Sequence, residues 1–240
     1  MKYAIISDVH SNLEALECAL EEIHKRKVDQ IICLGDVVGY GANPSECLEL
    51  VRGASCEMVM GNHDQAVEDL ELRSSFTDWA REAIEWTANT LSQEEKKQIR
   101  ECAPVVIDKK RQVTWTHGTP YQPEEFHYLF SETEAYKSFL ALETHFCFFG
   151  HTHIPSLFSK KAKEARYLTA GTYQLAKDEF YLINPGSVGQ PRDRNSKLSF
   201  VLFDSDKLTL ELVRLDYDCK KAAEKIRKAG LPAYLADRLL

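Results

Sequence analysis

Five short stretches concentrate the residues able to bind a metal or move a proton: Asp8-x-His10, Gly35-Asp36, Gly61-Asn62-His63-Asp64, His117-Gly118 and Gly150-His151-Thr152-His153. They hold five of the eight histidines in the chain. A lone Asp-x-His, or a His beside an apolar run, is common and is more often a satisfied structural residue than a ligand. The joint pattern is different, because each stretch comes after an apolar run and before a turn or a helix. Carboxylate, amide and imidazole together are the donor set that first-row divalent cations such as Mn, Fe, Zn, Co or Ni accept. Asp36 is the centre of this reading. Residues 30–36 read as a short buried strand delivering a carboxylate to its C-terminal edge, where it can bridge two cations.

Periodicity supplies the scaffold for these groups. Residues 3–7 read as a strand ending at Asp8. Ser11 or Asn12 is placed to cap a helix in which Leu13, Leu16, Ala19, Leu20 and Ile23 recur at helical spacing. With the strand at 29–36 this is a βαβ unit, and active groups of parallel sheets gather beyond the strand C-termini. A glycine-rich loop at 37–44 precedes a helix that Ser45 could cap, and 57–60 is a short strand ahead of Gly61. Residues 65–102 are polar and helical, with a stripe through Trp79, Ala83, Trp86 and Leu91 and a capping box at Ser92–Glu95. This block is expected to be a helical cap or insertion within a single domain spanning 1–240. A hairpin (105–107 and 112–116), an aromatic loop (121–130), a helix (131–142) and a buried strand (146–149) come next. Then come strands at 156–158, 166–170, 179–184, 198–204 and 209–214, and two closing helices.

Composition bounds the function. The 240 residues are 44% hydrophobic and 28% charged, as in an ordinary globular protein able to bury a full core. The formal net charge of −7 argues against long nucleic acid and against an anionic membrane surface as partners. No uninterrupted apolar segment is long enough to span a bilayer, and the N-terminus runs straight into Asp8 without a signal peptide. The seven cysteines are scattered, with no Cys-x-x-Cys, and read as reduced residues of a cytoplasmic protein.

The order of these motifs resembles the calcineurin-like metallophosphoesterase family, whose pattern is D-x-H, G-D-x-x-D, G-N-H-D/E, a later H, and G-H-x-H. The resemblance covers nearly the whole chain. The segment from Asn184 to Arg192, with His117-Gly118-Thr119-Pro120, is similar to the small bacterial and archaeal branch of YfcE-like and diadenosine-tetraphosphatase-related phosphoesterases. It implies an α/β fold, a four-layer αββα sandwich of two facing mixed sheets with helices on both outer faces. It also implies two divalent cations, manganese favoured. Asp8, His10, Asp36 and His153 would hold one, and Asp36, Asn62, His117 and His151 the other. Hydroxide bridging the two metals would attack phosphorus. His63 would face the leaving-group oxygen rather than a metal, and the Thr152 side chain would point away. The implied substrate is a small phosphate ester or nucleotide: a phosphodiester, a phosphomonoester or a dinucleoside polyphosphate.

The chain departs from the family pattern at Gly39, where the second aspartate of G-D-x-x-D would stand, and Tyr40 replaces the arginine of the protein phosphatase branch. The missing acid is the usual partner of the G-N-H histidine. Asp64 is the nearest substitute for it by sequence, and equally a cap for the helix after it. Arg192 and Arg194 could grip a substrate phosphate or be loop charges. Gly186, Ser187 and Gly189 could offer N–H groups to an anion or form a tight turn. The rings at 121–130 could stack on a nucleobase, although packing over the core is the simpler reading. His24 and His145 fall outside every motif and read as exposed. A non-catalytic, protein-binding scaffold of the same fold is the alternative function, and a nuclease a lesser one. The presence of His63 and of every ligand type favours the enzyme.

Overall fold

The structure is a computed structural model and describes residues 1–240, except for the side chain of Glu164. The first part of the chain runs β1 (Lys2–Ile6), α1 (Leu13–Arg26), β2 (Gln30–Cys33), α2 (Pro44–Gly53) and β3 (Glu57–Met58). Helices α3 (Asn62–Ala66), α4 (Leu70–Ser74), α5 (Asp78–Thr90) and α6 (Gln93–Arg100) succeed them. Next come β4 (Val105–Asp108), β5 (Val113–Thr116), α7 (Glu132–Ala141), β6 (Phe146–Phe148), β7 (Ser156–Ser159), β8 (Glu164–Tyr167) and β9 (Gly171–Gln174). The chain closes with β10 (Tyr181–Asn184), β11 (Leu198–Asp204), β12 (Thr209–Leu215), α8 (Cys219–Lys228) and α9 (Ala233–Asp237).

Among the described residues the strands form two six-stranded sheets, ordered β3-β2-β1-β11-β12-β9 and β4-β5-β6-β10-β7-β8. Each has a parallel core, β1–β2–β3 in one and β5–β6–β10 in the other, flanked by antiparallel strands. Alternation along β1 shows the layering. Tyr3 and Ile5 point between the sheets, where they meet Trp115, Phe146, Phe148, Val201 and Phe203. Ala4 and Ile6 point outward against Leu16, Ala19 and Ile23 of α1. On the far side, Phe149 and Leu182 pack on Ala135 and Phe139 of α7. Both faces of both sheets are therefore covered, which is why the central strands read as continuous apolar runs. This is the four-layer αββα sandwich.

Local chemistry explains where the element boundaries fall. Asn12, not Ser11, caps α1, its Oδ1 accepting from Ala15 N–H at 3.2 Å. Helix α2 begins one residue before Ser45: Pro44 sits in its first turn behind Asn43, where a missing N–H costs nothing. Helix α5 starts at Asp78 because Thr77 is extended, and the expected box at Ser92 and Glu95 does cap α6. Strand β2 stops at Cys33, three residues short of Asp36, because Gly35 turns the backbone at φ +89°. Strand β9 is an edge strand pairing with β12, and its mostly exposed Gly-Thr-Tyr-Gln carries no apolar alternation to reveal it. His24 is exposed, but His145 is half-buried with its ring edge-on to Phe180 at 4.8 Å. Among the described residues the cysteines form no disulfide. Among the described residues no helix is long and apolar enough to cross a membrane.

Phe203 touches Tyr3, Phe146 and Phe148 from the opposite sheet and its own, with centroids 6.2, 5.0 and 5.3 Å away. Phe203→Ala is expected to cost about 3–5 kcal/mol of stability, from the lost transfer energy plus the cavity left between two rigid sheets. Urea denaturation checks it. A loss under about 1 kcal/mol would mean that the sheets are not held by this contact.

Candidate metal centre

The candidate residues lie past the C-terminal ends of parallel strands from both sheets: Asp8 after β1, Asp36 after β2, Asn62 after β3, His117 after β5, and His151 and His153 after β6. Five of the candidates have left-handed backbone, with φ of 53° at Asp8, 49° at His10, 53° at Asp36, 67° at His151 and 59° at His153. Aspartate and histidine tolerate this region better than most residues, but each such position still costs on the order of 1–3 kcal/mol. Crossed backbone hydrogen bonds hold the loops there. Asp8 N donates to Gly35 O at 3.1 Å, His10 N to Asp36 O at 2.9 Å, and Gly189 N to Asp8 O at 3.0 Å. Gly61 lies so close that a Cβ would sit 2.1 Å from Asp36 Oδ1, which accounts for glycine before Asn62.

The side chains converge on two points. At the first, His153 Nε2 lies 3.3 Å from Asp8 Oδ1, and His10 Nε2 lies 3.1 Å from His153 Nε2 and 3.6 Å from Asp36 Oδ2. At the second, His117 Nε2 lies 3.2 Å from Asp36 Oδ2, 3.1 Å from Asn62 Oδ1 and 3.2 Å from His151 Nδ1. Asp8, His10 and His153 form one group of potential ligand atoms, and Asp36, His117 and His151 another. Asp36 reaches both. The ring orientations are fixed from behind: His10 Nδ1 faces Val38 O at 3.2 Å, His117 Nδ1 faces Leu34 O at 2.7 Å, and His153 Nδ1 faces Gln190 O at 2.7 Å. Donation to these carbonyls aims Nε2 of each ring inward and leaves it free of a proton whenever the imidazole is neutral, the usual outer support of a ligating histidine.

The site fits cations on its own chemistry. Asp8 Oδ2 is buried without a hydrogen-bond partner. Two pairs of ring nitrogens face each other at 3.1 and 3.2 Å, a spacing that a shared cation or proton must explain. Burial pushes the Asp8 carboxyl up to about 7, with the Asp36 charge adding to it and His117 opposing. Asp36 feels the same burial, but His117, His63 and His10 outweigh it and hold its carboxyl well below the usual range. His117 loses by burial and gains more from Asp36, so it rises to about 9. Burial takes His10, His151 and His153 well below the usual imidazole value.

His63 is the second residue of α3, and its N–H donates to Asp36 Oδ1 at 2.8 Å. Its ring lies among Tyr40 (4.3 Å between centroids), Phe76 (4.7 Å) and His10 (4.9 Å), and burial lowers its pKa to about 4. The ring is also within ligand distance of His10 and Asp36. Asp64 does not orient this ring: its oxygens accept from Val38 N and Gly61 N, both at 3.1 Å, so it caps the helix and ties in the preceding loop. His63 Nδ1 is buried and unpartnered, and a Cβ on Gly39 would lie 2.5 Å from it. The place of the family's second aspartate is therefore adjacent to Nδ1 and holds no acid.

Arg192 lines the cleft that opens from the centre, whereas Arg194 is exposed and is not among the lining residues. The amides at 186–189 do not face an anion. Gly186 N donates to Asn184 Oδ1, Val188 N to Ser7 O and Gly189 N to Asp8 O, so this turn braces the Asp8 loop. Thr152 points away from the centre, its Oγ1 accepting from Asn184 Nδ2 at 3.0 Å. Of the aromatic loop, Tyr128 stacks on the His151 ring at 3.8 Å, and Phe126 is buried edge-on to His117. Sequence reasoning did not find the cleft's outer walls, Phe76, Trp79 and Arg238, which belong to the helical block and to the C-terminal segment. Trp79 showed only as part of a helical stripe, and Arg238 gave no signal.

The family profile described as the calcineurin-like phosphoesterase superfamily domain matches residues 1–208. The chain belongs to this superfamily and is a metal-dependent hydrolase acting on phosphate esters. It is 43% identical over 239 residues, 98% of this chain and 96% of the other, to the uncharacterized protein MJ0912 of Methanocaldococcus jannaschii. A crystal structure of a metallophosphoesterase from Sphaerobacter thermophilus superposes with a TM-score of 0.89 at 36% identity, covering 100% of this chain and 98% of that one. A symmetrical bis(5'-nucleosyl)-tetraphosphatase of Psychromonas ingrahamii is 40% identical over 63 residues, 25% of this chain and 23% of its own length.

Cation binding should release protons. Asp8 (about 7) and His117 (about 9) hold protons at neutral pH that a metal must displace. Affinity for Mn²⁺ is therefore expected to rise as pH increases from 6 through 9 and to fall below 7. Calorimetric titration in two buffers of different ionisation enthalpy measures the released protons directly. Buffer-independent heats at pH 7.5 would contradict this assignment.

Proposed function

We propose that the protein is a dinuclear phosphoesterase of small phosphate esters, including nucleotides, with manganese as the favoured metal. Asp8, His10, Asp36 and His153 would hold one cation, and Asp36, Asn62, His117 and His151 the other. The observation that carries this reading is the position of Asp36 Oδ2, 3.6 Å from His10 Nε2 and 3.2 Å from His117 Nε2, where one carboxylate lies between a histidine of the first group and a histidine of the second. When bound, two such cations take up charge on the phosphoryl oxygens and make water a strong nucleophile near neutral pH. The protein's own residues do the rest. Carbonyls behind His10, His117 and His153 keep the donor nitrogens forward, and the neutral amide of Asn62 contributes an oxygen without adding charge.

Arg192 projects into the cleft, its Nε and Nη2 held by Gln190 Oε1 at 3.3 and 3.0 Å. It is placed to hold a phosphoryl oxygen. His63 faces the same cleft and serves the leaving-group oxygen as hydrogen-bond or proton donor. With no acid at position 39, this role falls to the imidazole without a carboxylate behind it. The block 65–102 acts as a cap, supplying Leu72, Phe76 and Trp79 to the cleft wall. Nucleotides enter this reading through the partial similarity to the tetraphosphatase and through the rings around the cleft.

Metal-free protein is expected to hydrolyse bis(p-nitrophenyl) phosphate only after Mn²⁺ or a similar divalent ion is restored, and to lose the activity to chelator. Absence of turnover with every divalent metal would overturn the proposal. His63→Ala is expected to lower kcat by about 10²–10⁴-fold while retaining its metals. Loss of bound metal in that variant would make His63 a ligand instead.

A further inference from the structure

The cleft encloses about 340 Å³ and runs outward from Asn62, His63 and His151 to Arg238. That volume is at the lower end of small-molecule sites and exceeds what a lone phosphate needs. A line of rings marks its course: His63 to Tyr40 at 4.3 Å, Tyr40 to Trp79 at 6.0 Å, and Trp79 to Tyr234 at 5.1 Å. Arg238 stands at the far end, its Cζ 5.7 Å over the Tyr234 ring and its Nη1 donating to Tyr234 Oη at 2.7 Å.

Two observations separate Arg238 from an ordinary surface arginine. Arg26, Arg100, Arg214 and Arg227 pair with carboxylates. Arg192 and Arg238 line the cleft with no ion-pair partner among the described residues. In addition, Arg238 Nε is buried with no hydrogen-bond partner. A desolvated N–H on a cation is costly to leave unmet, and an anion drawn from the cleft to this guanidinium would offset that cost. Arg238 is also built into the fold. Leu235, Ala236 and Leu239 around it pack with Ala223 and Ile226 of α8, and with Tyr40 and Ala83. Helix α8 is tied to α1 by Lys225 Nζ, 2.6 Å from the buried Glu14 Oε1. The residue lies outside the stretch 1–208 that matches the superfamily model.

We propose that Arg238 forms a second anion subsite, and that the substrate is a nucleotide-type ester carrying a further phosphate beyond the scissile one. The reacting phosphoryl group sits at the metal centre with Arg192. The Tyr40–Trp79 wall takes the planar part of the substrate, and Arg238 binds the remote phosphate. This rests on the phosphoesterase reading above.

The test uses full-length, Mn²⁺-replete enzyme turning over bis(p-nitrophenyl) phosphate, with AMP, adenosine 3′,5′-bisphosphate and ATP as competitive inhibitors at fixed free Mn²⁺. The wild type is expected to bind at least one of the two multiply phosphorylated probes about 10-fold or more tightly than AMP, as one added charge-assisted hydrogen bond allows. R238A should erase that preference, and R238K should restore part of it. No preference over AMP in the wild type, or a preference that survives R238A, overturns the subsite. So does an R238A variant that loses reference turnover and AMP binding in the same proportion, which assigns Arg238 to structure alone. Wild-type enzyme inert toward the reference substrate with every metal would instead strike the phosphoesterase reading.

Discussion

A buried carboxylate with cationic or metal-seeking groups on both sides organises this molecule. Asp36 is 1% exposed, its Oδ1 accepts from His63 N–H at 2.8 Å, and its Oδ2 faces His10 and His117. An ionised acid in such a place is unfavourable unless every lone pair is met. The surrounding histidines keep it ionised, and it in turn raises His117. Removing the acid would strand the imidazoles, and removing the imidazoles would strand the acid. The two ligand groups are therefore one electrostatic unit, and each draws its residues from both sheets.

The sandwich exists, in this view, to hold that unit under strain. Five candidate ligands adopt left-handed backbone, and the loops that carry them are cross-tied to one another, as in Gly150 N to His117 O at 2.8 Å and Val188 N to Ser7 O at 3.0 Å. A loop alone could not stay in that conformation. Two stacked sheets, sealed by Tyr3, Trp115, Phe148 and Phe203, supply rigid strand ends on both sides of the site. The cost of the irregular loops is offset by burial elsewhere, the arrangement expected where function demands unfavourable backbone.

Much of this was legible in the residues alone. The ligand types, their order and the apolar runs before them foretold where Asp8, Asp36, His117 and His151 would lie, because a rigid strand end fixes the position of the next few residues. The role of Asp64 was not legible, since a helix cap and a histidine partner use the same residue type at the same spacing. Nor was the bracing turn at 186–189, whose amides face inward only because β10 places Asn184 beside Thr152. Strand β9 escaped because an exposed edge strand needs no alternation. Arg238 was invisible because nothing local distinguishes it. Its place comes from long-range packing of α9 on α5 and on the Tyr40 loop.

The chemistry then rests on a balance of charge. In the proposed centre, two acids, one amide and four imidazoles would hold two divalent ions without excess negative charge, next to a cleft whose two arginines would meet the remaining anionic oxygens. All of it requires Asp36 to belong to both metal shells. Anomalous-scattering crystallography of Mn²⁺-loaded protein, with metal content measured on the same sample, decides whether it does. The expected result is two ions per chain about 3.5–4 Å apart, with an Asp36 oxygen bound to each. A single ion, or two ions with Asp36 in the shell of neither or of one alone, would contradict it.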